Sequence, residues 1–149
     1  MNPVPEHIED SFIELALSVA YHAHRNQMRR PHNQPTDYAP YIVHPVAVAD
    51  SLPRPLRALG LLHDVMEDNP EEWSEPVLRG KFPAWLVDRL ILLTKQPGEE
   101  YDAYIMRAAS DPATRLVKIA DLRDNLKDLV KGTQRDKYRL ALRVLGEEP

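Results

Sequence analysis

Fourteen prolines against five glycines punctuate this chain of 149 residues, and that ratio dictates where it can turn. A proline fixes φ, removes an N–H donor and pushes the residue before it out of helical geometry. Between the prolines, apolar residues recur at helical intervals, and period-2 alternation is almost absent. Residues 6–28 read as a helix, with Ile8, Phe12, Leu15, Val19 and His22 in step. Residues 29–40 (RRPHNQPTDYAP) are polar, hold three prolines and read as a loop. His44-Pro45 opens a short helix, because a proline's missing N–H costs nothing in a first turn. A helix over 54–68 carries Leu56, Leu59, Leu62 and Met66 on its apolar side and must stop near Asn69, ahead of Pro70. Further helices are expected at 74–80, 83–94 and 99–109. Asp111-Pro112 pairs an N-cap with a proline at the first helical position and predicts a long helix to about Lys131. Residues 134–145 close the chain. The expected fold is all-α, one domain over 1–149 with about seven or eight helices.

Composition narrows the function classes. Lys and Arg total 19 and Asp and Glu 23, a net charge of −4, which argues against a domain built to coat nucleic acid. The absence of Cys excludes disulfides, thiol catalysis and Cys-ligated zinc, and suits a reducing, cytoplasmic setting. No apolar run approaches membrane-spanning length. The opening MNPVPEHIED lacks the basic and apolar regions of a signal peptide. The expected partner is a small molecule, with no nucleic acid and no membrane.

Chemistry concentrates in His63-Asp64-Val65-Met66-Glu67-Asp68. On a helix, His63 lies above Glu67 and Asp64 above Asp68. Three carboxylates and an imidazole would then crowd a helix C-terminus that is itself partly negative, which calls for positive charge. His44 at a helix start and Asp121 in the apolar stretch Val-Lys-Ile-Ala-Asp could complete such a site. Two imidazoles and two carboxylates suit Mn²⁺, Fe²⁺ or Zn²⁺ and leave positions for water and substrate. Ordinary roles stand beside this one. Glu67 and Asp68 alone read as a solvated helix end, and Asp121 alone as an ion-pair partner of Arg115 or Lys118.

Four segments in collinear order carry a resemblance. They are His24-Arg25-Asn26-Gln27-Met28-Arg29-Arg30, Pro40-Tyr41-Ile42-Val43-His44-Pro45-Val46-Ala47-Val48-Ala49, Leu61-Leu62-His63-Asp64-Val65-Met66-Glu67-Asp68, and Val117-Lys118-Ile119-Ala120-Asp121 with Asn125. The pattern His…His-Asp…Asp resembles the HD-domain metal-dependent phosphohydrolases. It is most similar to the hydrolase domain of the Rel/Spo family and the small stand-alone alarmone hydrolases. The resemblance implies a single HD-type domain with Mn²⁺-dependent 3′-pyrophosphohydrolase activity on guanosine 3′,5′-bispyrophosphate (ppGpp) or its pentaphosphate relative. Carried over residue by residue, it implies that His44, His63, Asp64 and Asp121 hold the metal. Glu67 and Asp68 would match the acidic pair that positions and activates the attacking water. Arg29 and Arg30 would match the basic pair against the nucleotide, and Asn125 the residue at the nucleoside. Read without it, Arg29 and Arg30 are a solvated loop edge and Asn125 a helix-face hydrogen bond. His24 reads as structural.

Three departures bear on substrate. The loop after Arg30 is longer than the family's and lacks its Gly, next to the expected base pocket. The connector from His44 to His63 is short and holds Pro53 and Pro55, so a trimmed helix is expected there. Asp121 is followed by Leu-Arg-Asp-Asn where Arg-Leu-His-Asn is common. The length leaves no room for a synthetase domain, so degradation is the expected direction. The alternatives are an HD phosphohydrolase for a nucleoside monophosphate or NADPH, and a non-catalytic nucleotide-binding module.

Overall fold

The computed structural model describes residues 1–29, 39–129 and 132–149. In chain order these form α1 (Asp10–Ala23), β1 (Met28–Arg29), β2 (Ala39–Pro40), α2 (Val43–Asp50), a 3₁₀ turn (Arg54–Leu56), α3 (Arg57–Leu62), α4 (Val65–Asp68), α5 (Glu75–Arg79), α6 (Ala84–Leu93), α7 (Tyr101–Ala108), α8 (Pro112–Asp128) and α9 (Thr133–Val144). The all-α expectation holds. The exception lies at the two ends of the segment read as a loop. There β1 and β2 pair antiparallel, Met28 opposite Pro40 and Arg29 opposite Ala39. The Tyr41 N–H extends this clip to the Gln27 carbonyl at 2.9 Å, so α1 ends well short of residue 28. Arg30 and residues 31–38 of the predicted loop lie outside the described residues.

Helix α3 is the centre of the core. Ala58, Leu59, Leu61 and Leu62 are buried, and the helix packs against α1, α2, α6 and α8. Its approach to α2 depends on Gly60. A methyl group there would lie 2.8 Å from Leu52 Cδ1 and 3.0 Å from the Ala49 Cα. This contact sets the spacing of the helix that carries His44 and the segment that carries His63.

The helix expected over 54–68 is broken twice. Its first residues, Arg54–Leu56, form a 3₁₀ turn with Pro53 at the N-cap and Pro55 inside the turn. The second break falls at His63 and Asp64, between α3 and α4. A continuing helix would give the Gly60 carbonyl to the Asp64 N–H. Here that carbonyl accepts from His63 Nδ1 at 2.6 Å.

Helix α8 starts where Asp111-Pro112 predicts. Asp111 Oδ2 accepts from the Ala113 and Thr114 N–H groups at 3.0 and 3.1 Å. Buried Arg89 grips the same carboxylate with two bonds, 3.0 Å to Oδ2 and 3.1 Å to Oδ1. This anchor fixes the start of the helix that carries Asp121, Asp124 and Asn125. Among the described residues, no helix is long and apolar enough to cross a membrane.

Candidate metal centre

Three elements deliver the predicted residues to one point. His44 comes from the first turn of α2, His63 and Asp64 from the break between α3 and α4, and Asp121 from the middle of α8. One donor atom from each of His44, His63 and Asp121 lies within 4.8 Å of the other two. Asp121 Oδ1 is 3.0 Å from His44 Nε2 and 3.4 Å from His63 Nε2. Asp64 closes the other side, its Oδ2 3.1 Å from His63 Nε2 and 3.7 Å from His44 Nε2. On an unbroken helix, adjacent side chains point about 100° apart. The break lets His63 and Asp64 reach the same centre.

The far side of each ring defines its chemistry. His63 Nδ1 donates to the Gly60 carbonyl, and His44 Nδ1 lies 2.7 Å from Asp124 Oδ2. A carbonyl or carboxylate at Nδ1 fixes the proton there, so both Nε2 lone pairs face inward. They meet the oxygens of Asp64 and Asp121, an arrangement that repels unless a positive charge sits among the four. The buried His63 Nε2 has no hydrogen-bond partner, although two carboxylate oxygens are near it. The donor set therefore fits a divalent cation. Without one, protons are the remaining source of charge. Burial works against the charged form of both rings. For His63 the Asp64 and Asp121 charges overcome it, and for His44 hydrogen bonds to Asp121 and Asp124 do, so both pKa values are raised. Asp64 and Asp121 are held below the ordinary carboxylate range despite burial, Asp64 by His63 and Asp121 chiefly by the Lys118 ammonium.

The supporting groups are mostly residues that the spacing analysis did not single out. Buried Lys118 donates to Asp121 Oδ2 at 2.8 Å and lies 4.9 Å from the centre of the Tyr104 ring. Of the two ion-pair partners considered for Asp121, Lys118 is the one that binds it, while Arg115 reaches Leu145 and Glu147. The Tyr41 hydroxyl donates to Asp64 Oδ2 at 2.5 Å. Gln27 donates to Asp68 at 3.1 Å and its amide oxygen faces His24 Nδ1 at 2.5 Å. His24 is buried against the Tyr41 ring, a structural position as expected. Tyr41 and Gln27 stand within quoted motifs, which is the signal that could have found them. Asp124 had only its proximity to Asp121.

Glu67 and Asp68 lie on α4 and are exposed. Glu67 accepts from the Lys95 N–H at 3.4 Å, beside a cleft of about 280 Å³ that Trp73 and Thr94 also line. Desolvation and the nearby Asp64 charge raise the pKa of both acids.

Of the expected basic pair, Arg29 is described and Arg30 is not. Arg25 turns to Glu72, whereas Arg29 is drawn onto α8. Arg29 donates to Asp128 at 3.1 Å and to the Asn125 carbonyl oxygen at 2.9 Å. Asn125 passes the contact on, donating to Asp121 Oδ1 at 2.9 Å. Arg29 is thus no solvated loop edge, and Asn125 makes the helix-face hydrogen bond that its spacing allows.

Comparison with known proteins returns relatives of one kind. No family model matches the chain. A probable GTP pyrophosphokinase of Mycobacterium leprae is 30% identical over 131 residues, covering 80% of this chain and 16% of its own. A guanosine-3′,5′-bis(diphosphate) 3′-pyrophosphohydrolase of Aquifex aeolicus is 32% identical over 136 residues, 84% of this chain and 18% of its own. The bifunctional (p)ppGpp synthase/hydrolase SpoT of Escherichia coli is 32% identical over 147 residues, 89% and 20% respectively. The chain thus spans at most about a fifth of these relatives. A solved structure of a metazoan SpoT orthologue that hydrolyzes ppGpp superposes with a TM-score of 0.73 at 23% identity, over 93% of this chain and 85% of that one.

Proposed function

The chain is a Rel/Spo-family homologue along one segment of those proteins, and on that footing we propose that it is a divalent-metal-dependent pyrophosphohydrolase acting on ppGpp. The reaction would be ppGpp plus water to GDP plus pyrophosphate, with GTP as product from the pentaphosphate. One observation supports it above others. Two inward imidazole lone pairs and the Asp121 carboxylate lie within 4.8 Å of one another, Asp64 Oδ2 stands 3.1 Å from His63 Nε2, and that nitrogen is buried and unpartnered.

In this reading His44, His63, Asp64 and Asp121 hold the cation, which we take to be Mn²⁺. When bound it lowers the pKa of its water towards neutrality and offsets charge on the phosphoryl oxygens. Glu67 and Asp68 orient the attacking water and accept its proton, a task their raised pKa values suit. Lys118 and Tyr41 keep Asp121 and Asp64 in place through their second contacts. Arg29, with Arg30 next to it in sequence, and Asn125 bind the nucleotide. Phosphoryl transfer asks mainly for such positioning and charge stabilisation. A cytoplasmic setting belongs to the same reading and is supported by the Cys-free sequence.

The test is product release by the purified, Mn²⁺-loaded protein from a panel of ppGpp, nucleoside monophosphates and NADPH. Pyrophosphate from ppGpp is the expected result. Phosphate released only from NADPH or a monophosphate would move the protein to the alternative substrate class. Bound Mn²⁺ with no turnover of any member would leave a nucleotide-binding module.

A further inference from the structure

The two imidazoles of the metal centre are backed differently. His63 Nδ1 faces a neutral carbonyl, that of Gly60, at 2.6 Å. His44 Nδ1 faces a carboxylate, Asp124 Oδ2, at 2.7 Å. Asp124 occupies the position where the resembling sequences commonly have His, and it is itself held from both sides. Arg29 Nη2 lies 3.7 Å from its Oδ2, and Lys127 Nζ lies 3.6 Å from its Oδ1. It stands three residues after Asp121 on α8, so one helix supplies both a proposed ligand and the backing of another.

We propose that Asp124 is a positioning residue of the metal centre. It accepts the Nδ1 proton of His44, locks that ring with its Nε2 lone pair turned to Asp121 and His63, and makes His44 the stronger imidazole donor. A carboxylate at the outer nitrogen raises the donor strength of a ligating imidazole, and losing such a partner typically weakens metal binding. Arg29 and Lys127 put positive charge beside the carboxylate, and neither reaches it at hydrogen-bond distance, so His44 Nδ1 remains its close partner. The inference rests on the metal reading above and goes beyond it to a residue that makes no direct contact with the ion.

The experiment compares the wild-type chain with Asp124→Ala and Asp124→Asn. It measures Mn²⁺ affinity by titration, thermal stability, and kcat and KM for ppGpp at saturating Mn²⁺. Asp124→Ala should weaken Mn²⁺ binding by about 10–100-fold with KM for ppGpp nearly unchanged. Asp124→Asn keeps an acceptor oxygen without the charge and should recover part of that loss. A folded Asp124→Ala protein with wild-type Mn²⁺ affinity would overturn the inference. So would an elevated KM with metal affinity intact, which would make Asp124 a substrate contact. Should Asp124→Ala not fold, Asp124→Asn decides alone: weaker Mn²⁺ binding supports the role, and wild-type affinity overturns it. A graded loss of Mn²⁺ binding in a protein that never cleaves ppGpp would support this inference while sinking the proposed substrate. A wild-type chain that binds no Mn²⁺ overturns both.

Discussion

The Gly60 carbonyl accepts the Nδ1 proton of His63 at 2.6 Å, in the turn where α3 gives way to α4. The same residue has no room for a side chain against α2. A Cβ would meet Leu52 Cδ1 at 2.8 Å, and the Ala49 Cα and N at 3.0 and 3.2 Å. The Leu52 methyl can swing away, but the Ala49 backbone moves only with the whole of α2. Gly60→Ala should therefore destabilise by about 1–3 kcal/mol through overpacking, despite alanine's better helix propensity. It should also weaken metal binding, because α2 carries His44. Denaturant unfolding and Mn²⁺ titration of the same variant read the two effects. A variant as stable as wild type would show that α2 and α3 are not spaced by this contact.

Tyr41 offers a cleaner separation of site from scaffold. Its hydroxyl donates to Asp64 Oδ2 at 2.5 Å, while its ring packs on His24. Burial first, and the Asp64 charge next, push its pKa far up, so it remains a donor across the working range. Tyr41→Phe keeps the ring and deletes only the donor. Mn²⁺ affinity or kcat should fall by about 10–100-fold, with little change in unfolding midpoint. Wild-type kinetics in this variant would mean that Asp64 needs no orienting group.

Most helices were legible because prolines and capping residues mark their ends locally. Asp111-Pro112 shows this well: the cap predicted for α8 forms, with Arg89 added. The His44, His63 and Asp121 gathering was legible from residue type and order. What periodicity could not give was the break at His63-Asp64. That break depends on a side chain taking a backbone carbonyl, Gly60, from its own helix. The β1–β2 clip was missed because two-residue strands leave no alternation to read. Lys118 was legible as a partner of Asp121, but Asp124 and Tyr41 escaped for another reason. Each acts on a residue from a distant part of the chain, and only the packed structure shows the pairing.

Acid should probe the α8 anchor. Burial works against the charge on Asp111, but Arg89 and the Thr114 and Ala113 N–H groups outweigh it, and its pKa is lowered. A depressed carboxylate stabilises the fold above its unfolded pKa. Its contribution is complete above 3.8, the ordinary value, and is lost as pH falls below that through the folded pKa. Glu99, held at about 2 by hydrogen bonds from Arg107 and the Gln96 N–H, has the same sign. The pH-dependent part of the difference between wild type and Arg89→Met reports on Asp111, since the other acceptors of Arg89, the Asn2 and Trp85 carbonyls, do not titrate. The wild-type advantage in urea midpoint should be constant from pH 5 to 7 and shrink below about pH 4. An advantage that persists unchanged at pH 2 would place the stabilisation in the Arg89 stem and its hydrogen bonds to the Asn2 and Trp85 carbonyls.

Glu67 and Asp64 test the division between proton acceptor and ligand. Asp64 lies 3.1 Å from the unpartnered His63 Nε2, whereas the only hydrogen bond to the Glu67 side chain among the described residues comes from the Lys95 N–H at 3.4 Å. Asp64→Ala should abolish both Mn²⁺ binding and turnover, since it removes one of the oxygens that face the imidazoles. Glu67→Gln keeps shape and loses the basic oxygen, so Mn²⁺ affinity should stay while kcat falls by about 10²–10⁴-fold. Glu67 also has a raised pKa, from partial desolvation first and the Asp64 charge next. The wild-type rate should therefore fall on the acid side as Glu67 takes up a proton, and Glu67→Gln should lose that limb of the profile. Metal lost from Glu67→Gln would make Glu67 a ligand. Turnover left intact would pass the proton-accepting role to Asp68, whose Asn variant would then have to show the deficit.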